Sequence, residues 1–187
     1  RAAALLNITE DHLNRHGTME EYTRIKMRIF ENQTAEDAAV FNDDDPLSAP
    51  LAGQVKSRVL RFSRTHEVPE GAFARDGKII VRFGGEDKVL CDTGEVRIPG
   101  PHNLENALAA TCIAVFMGVP APVIRHTLRT FAGVEHRIEF VRELDGVRYI
   151  NDSKGTNVDS TIQAVRAMKR PSSAISIFTP AGRPSIT

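Results

Sequence analysis

A chain of 187 residues with 41% hydrophobic and 26% charged residues has enough apolar material to fold around a core, which excludes general disorder. Its 24 basic residues balance 24 acidic ones, so the electrostatic footprint of a nucleic-acid or anionic-membrane binder is missing. No apolar run approaches the roughly 18 residues of a membrane span. Cys91 and Cys112 do not form a metal-type pair, and reduced thiols in a cytoplasmic protein are the simpler expectation. Residues 1–6 lack the layout of a signal peptide, and they read as the end of a strand already under way, so the chain is expected to be a piece of something longer.

After this strand, Thr18-Met19-Glu20-Glu21 matches a capping box, and a helix is predicted from there to about Asn32. Met19, Tyr22, Ile25 and Ile29 form its apolar face, with Lys26 on the border. Ala38 to Phe41 is a short apolar run that ends in the turn Asn42-Asp43-Asp44-Asp45-Pro46. Val59 to Phe62 reads as a strand, and Asp76-Gly77 joins two more as a hairpin. Val89 to Cys91 and Val96 to Ile98 read as further strands. A buried helix is predicted from His102 to Met117, stopped by Gly118, and another from Pro122 to Phe131.

From about Gly133–Glu135 the pattern changes. Ile138 to Leu144 and Val147 to Ile150, joined by Asp145-Gly146, read as a hairpin. The polar loop Asn151-Asp152-Ser153-Lys154-Gly155-Thr156-Asn157 follows, then a helix from Asp159 to Lys169 and a strand from Ala174 to Phe178, the opening of a βαβ unit. The division is therefore into residues 1–133 and 134–187, with the second part incomplete.

Four constellations can carry chemistry. The 151–157 loop, with Lys154 ahead of a helix start, suits an anion, and Asp152 can hold sugar hydroxyls or a cation; a solvated loop is the plain alternative. Thr9-Glu10-Asp11-His12 with Lys26 reads as a metal or phosphate site at a strand end, or as a polar loop and a surface lysine. Histidine is a soft partner for magnesium, so the residues alone favour zinc or manganese. Asn103 and Asn106 share a face of a first helical turn, where two amides can meet a planar heterocycle, or Asn103 can cap the helix. Arg137 can stack on a ring or fork to phosphate, or sit idle at a strand start.

Five segments in order, residues 7–13, 22–32, 102–110, 133–139 and 149–157, resemble the Mur ligase family, in the branch that adds D-glutamate during peptidoglycan synthesis. The resemblance covers about residues 3–175. It implies an α/β fold: the C-terminal part of the central ATPase domain, then the start of a Rossmann-like C-terminal ligase domain. It implies ATP and Mg2+ as cofactors, and UDP-N-acetylmuramoyl-L-alanine and D-glutamate as substrates of a monomer that forms an amide through an acyl phosphate. By the same resemblance, His12 would be a magnesium ligand and Lys26 a carbamylated lysine supporting a second ion, the carbamate supplying the oxygen that magnesium prefers. Asn103 and Asn106 would lie near adenine and ribose, Arg137 would contact the nucleotide, and Asp152 would hold its ribose. Lys154 and Thr156 would face the muramoyl substrate and the reaction centre.

The sequence departs from that pattern in three places. The family's glycine-rich phosphate loop and its metal-binding glutamate are not among these residues, residues 176–187 do not continue as expected, and Asn14 stands where aspartate is common. The 187-residue chain is accordingly expected to have no ligase activity alone.

Overall fold

The structure is a computed structural model describing residues 1–9, 17–155 and 158–168. Six strands form one sheet in sequence order: β1 (Ala2–Leu5), β2 (Ala38–Asn42), β3 (Arg58–Ser63), β4 (Gly71–Arg75), β5 (Lys78–Phe83) and β6 (Glu86–Asp92). The first four run parallel, and β4, β5 and β6 form an antiparallel meander. The α/β class read from the sequence is what the chain adopts.

Of the parallel strands β2 is buried on both faces, as central parallel strands usually are. β2 shows why its sequence reads Ala-Ala-Val-Phe without polar alternation: all five of its residues are buried. Ala38 and Val40 point into a core shared with Leu60, Phe62, Leu108 and Cys112. Ala39 and Phe41 point the other way, into a core with Leu5, Ile8, Tyr22 and Phe30. The first core is covered by α2 (Pro101–Phe116), flanked by α3 (Ala121–Thr130). The second is covered by α1 (Met19–Met27) and the 3-10 turn Arg28–Phe30.

That turn corrects the predicted end of the first helix at Asn32. Three residues per turn replace 3.6, the register rotates, and Phe30 takes the inward position. Its ring centroid lies 5.0 Å from that of Phe41. Ile29, expected on the apolar face, is exposed. Thr18 caps α1 as expected, accepting the Glu21 N–H at 3.2 Å.

The Asp76-Gly77 hairpin forms as read, both residues having positive φ as a tight strand-matching turn requires. Val96 to Ile98 is not a strand. The 3-10 turn Thr93–Glu95 ends the meander, and the Arg97 N–H bonds the Leu128 carbonyl of α3 instead of a neighbouring strand. The two helices after it fall within one residue of their predicted bounds.

A separate two-stranded sheet follows, β7 (Glu139–Leu144) with β8 (Val147–Asn151), turned by Asp145 and Gly146. Then comes α4 (Val158–Arg166), shorter than the predicted helix. The break at Pro171 and the strand from Ala174 to Phe178 lie outside the described residues.

One backbone contact fixes β3 against β4. The seven-residue segment 64–70 returns the chain so that Gly71 lies beside Arg61, with φ at +137°. A Cβ on Gly71 would sit 1.8 Å from the Arg61 carbonyl oxygen, while one on Gly53 would meet open space. Gly71→Ala should therefore destabilise the fold by about 3 kcal/mol or more, and Gly53→Ala by under about 1 kcal/mol. Equilibrium denaturation of the two variants checks this; equal midpoints would contradict it.

Candidate functional site at the carboxyl ends of the parallel strands

Open α/β sheets place ligands beyond the carboxyl ends of their strands. Here three such ends are held together by the turn after β2. Asn42 is buried and donates from Nδ2 to the Leu6 carbonyl at 2.9 Å. Asp45 accepts the Ile8 N–H at 3.1 Å through one oxygen, and the Leu47 and Ser48 N–H groups at 2.9 and 2.8 Å through the other. Those bonds set the path of the chain leaving β1 as far as Ile8.

On the other side, Asp44 takes the tip of β3. It accepts the Ser63 hydroxyl at 2.7 Å, the Arg64 N–H at 2.7 Å and the Thr65 hydroxyl. Asp43 pairs with Arg61 and lies 3.0 Å from His66 Nε2, whose other ring nitrogen is 3.2 Å from Ser63 Oγ. Ser63, His66 and Asp43 stand in a row, but the Ser63 hydroxyl is fully buried and already donates to Asp44, so the row is structural and carries no nucleophile. From the sequence, residues 42–46 are predicted as a turn only. The available signal is four hydrogen-bonding side chains, Asn42 to Asp45, directly after the apolar run Ala38 to Phe41.

The next wall is the first turn of α2. Gly100 provides the N-cap at φ +102°, and Pro101 takes the first helical position, where a missing N–H costs nothing. Asn103 is therefore not the cap. It is buried, donates to the Pro99 carbonyl at 2.6 Å, and accepts from Asn106 Nδ2 at 3.3 Å. Glu105, between the two asparagines, accepts from Arg64 Nε at 2.8 Å. A Cβ at Gly100 would also lie 2.9 Å from the Ala167 Cβ, so the segment just after α4 packs against this corner.

The third group lies where residues 134–139 meet the 151–155 loop. Asp152 Oδ1 accepts the Ile138 N–H at 3.0 Å, and the Lys154 N–H donates to the His136 carbonyl at 3.0 Å. Asn151 Nδ2 bonds Glu139 at 3.2 Å and lies 2.9 Å from His136 Nδ1. His136 and Ile138, on either side of Arg137, have φ of 66° and 48°. For a β-branched residue such as Ile138 this is strained backbone, which persists only where the surroundings enforce it. Arg137 and Lys154 are exposed and Asp152 is half-buried.

Lys26 lies on α1, which packs on a different core from α2. It is exposed on α1, with Nζ 5.2 Å from the centre of the Tyr22 ring. His12 and Thr156 lie outside the described residues. Among the described residues no three His, Cys, Asp or Glu side chains gather as a metal site, and no helix is long and apolar enough to cross a membrane. Burial pushes the Cys112 thiol up to about 12, so it is inert packing. A shallow cleft of about 200 Å³ at the opposite ends of β2 and β3 is lined by Met27, Phe30, Gln33 and Val55 among others, and holds none of the candidate residues.

The pattern of the Mur ligase middle domain matches residues 1–114. The chain is 50% identical over 171 residues to the UDP-N-acetylmuramoylalanine–D-glutamate ligase of Thermoanaerobacter sp. strain X514, a match that covers 91% of this chain and 38% of that ligase. Its fold is shared with MurF from Acinetobacter baumannii, at a TM-score of 0.71 and 21% identity over 89% of this chain and 36% of that one. It is also shared with MurF ligase from Thermotoga maritima in complex with ADP, at a TM-score of 0.62 and 23% identity over 89% of this chain and 38% of that one. The chain thus spans well under half the length of each of these relatives.

Asp44 gives the site a pH signature. Burial acts to raise its pKa, but the hydrogen bonds from Thr65, Ser63 and the Arg64 N–H outweigh this and hold the carboxyl below its usual value. A group depressed in the folded state stabilises above its unfolded pKa, about 3.9 for aspartate. That contribution is lost as the pH falls through the lowered folded value. Asp44→Asn should cost about 1–3 kcal/mol at pH 7 and show a shallower loss of stability below about pH 4 than the parent. Parallel stability curves for the two proteins from pH 7 to pH 2 would contradict this.

Proposed function

This chain belongs to the Mur ligase family, and on that footing we propose that it carries the central nucleotide-handling part of an ATP-dependent amide ligase. The reaction is the addition of D-glutamate to UDP-N-acetylmuramoyl-L-alanine in peptidoglycan synthesis, by a cytoplasmic monomer without nucleic-acid or membrane partners. The observation that carries the reading is the half-identity, over nearly the whole chain, to a relative named for that ligation. The division near Gly133–Glu135 separates the central domain from the start of the C-terminal ligase domain, and the six-stranded sheet ends before it while β7 begins after it.

In this reading the first turn of α2 receives the base and ribose of ATP. Asn103 is committed to Pro99 and Asn106, so it shapes the pocket, and Asn106 has its carbonyl oxygen and one amide proton left for the nucleotide. Asp152 uses one oxygen on the Ile138 N–H and has the other for a ribose hydroxyl, next to Arg137 for the phosphates. Lys154 and Thr156 face the muramoyl substrate. ATP is a substrate here: the muramoyl carboxylate takes its terminal phosphoryl group, the amine of D-glutamate attacks the acyl carbon, and phosphate leaves.

Mg2+ would be held on the side of His12 and Lys26. A free ammonium repels a divalent cation, but the exposed Nζ is open to carbamylation, and a carbamate presents the hard oxygen that magnesium takes. When bound, the ion supplies positive charge over the transferring phosphoryl oxygens.

The test is a chimera in which the matched residues of this chain replace their counterparts in the Thermoanaerobacter ligase. It should release phosphate only when ATP, UDP-N-acetylmuramoyl-L-alanine and D-glutamate are all present. Lys26→Ala should lower kcat by about 100-fold or more, with activity partly restored by short-chain carboxylic acids that supply the missing oxygen. A folded chimera that binds ATP and releases no phosphate would overturn the ligase reading.

A further inference from the structure

The nucleotide reading rests on two asparagines in the first turn of α2, and a helix turn needs something to hold it at the right height above the sheet. Pro99 and Gly100 hold its start. Its outer side is held by Glu105, whose carboxylate accepts from Arg64 Nε at 2.8 Å. Arg64 is not a wandering surface side chain on its own loop. Its backbone N–H is bonded to Asp44, and the hydroxyls of the residues before and after it, Ser63 and Thr65, are bonded to the same carboxylate. Asp44 in turn is fixed by the buried end of β2, where Asn42 Oδ1 accepts its N–H at 3.0 Å. A continuous line of bonds therefore runs from the sheet interior through Asp44 and Arg64 to Glu105, one residue from Asn106 and two from Asn103.

We propose that Arg64 and Glu105 are positioning residues for the nucleotide: together they set the first turn of α2 against the tip of β3, so that Asn106 meets the base at the right distance. This deepens the nucleotide-site reading above and depends on it. The chemistry explains why the pair would matter for binding more than for folding. Arg64 and Glu105 have side chains 40% and 23% exposed, and ion pairs in such places contribute little to stability. A displacement of about an ångström at a binding group, by contrast, can cost an order of magnitude or more in rate or affinity. Arginine is suited to the role because its flat guanidinium fixes the direction of the Nε bond, which a lysine ammonium does not.

The chimera described above is the vehicle, with steady-state kinetics and thermal melting as joint readouts. Arg64→Ala and Glu105→Ala should each raise KM for ATP by about 5- to 20-fold, leave kcat within about twofold, and leave KM for D-glutamate unchanged. The melting temperature should move by no more than about 2–4 °C. The double variant should be no worse than either single one, because both remove the same link. Arg64→Lys should resemble Arg64→Ala, and the exchanged pair Arg64→Glu with Glu105→Arg should recover KM for ATP at least in part.

Asn106→Ala separates the two levels. If it raises KM for ATP while Arg64→Ala and Glu105→Ala do not, the nucleotide reading stands and the positioning proposal is overturned. If neither Asn106→Ala nor Asn103→Ala alters KM for ATP, the nucleotide is not at this turn and both are overturned. Losses in kcat and melting temperature in step with KM would mark Arg64 as a structural residue only, and would also overturn the proposal.

Discussion

Asn42, Asp43, Asp44 and Asp45 hold the carboxyl ends of β1, β2 and β3 to one another, and the described part of the site is arranged around them. Parallel strands leave their loops starting from one edge with unsatisfied backbone groups, and nothing in a strand's own ladder says where those loops go. Carboxylates placed at that edge answer this, because each can accept several N–H or O–H donors at once. Asp45 fixes the chain leaving β1, Asp44 the chain leaving β3, and Asp43 the Arg61 and His66 side chains beside them. Partial burial works against such charges. For Asp44 the direction of its pKa shift shows that the bonds more than offset that burden.

The two faces of the sheet then receive different duties. On one, α1 and Phe30 close an apolar core and leave Lys26 outside it, at the solvent edge. On the other, α2 lies across the strands and brings its first turn to the rim where Arg64 meets it. The 134–139 and 151–155 segments are built by a different device, backbone strain at His136 and Ile138 held by Asp152, Glu139 and Asn151. The exposed apolar hairpin above them is covered in part by its own arginines, Arg142 over Tyr149 and Arg148 over Phe140.

Much of this was legible in the residues, and the exceptions have physical causes. The Asp-Gly hairpins read clearly because the turn chemistry is local and tolerates few residues with positive φ. The α/β class is what the family resemblance implies, and the six-stranded, parallel-rich sheet with its helices bears it out. The family resemblance was read from five ordered segments and is borne out by the match of the middle domain. Val96 to Ile98 reads as a strand from its two β-branched residues, but two such residues do not make a strand without a neighbouring one, and the neighbour here is the end of α3. Helical spacing predicts Ile29 inward, but the chain tightens into a 3-10 turn there, which shifts the inward face by about one residue to Phe30. Asn103 left two readings open, and its actual partner, the Pro99 carbonyl, depends on how Gly100 turns the chain. Asp43 to Asp45 reads as a plain turn, as polar runs before a proline usually do, and the bonds its carboxylates make to the ends of β1 and β3 give it a larger role.

Native-state hydrogen exchange of three amides tests the central constraint most directly. The N–H groups of Ile8, Ser48 and Arg64 donate to the carboxylates of Asp45 and Asp44 and not to any strand ladder. If the turn after β2 holds the three strand ends together, these amides exchange with protection close to that of the central residues of β2 and β3, and only when those strands open. Exchange at the rate of an unprotected loop, while β2 and β3 remain protected, would contradict the account.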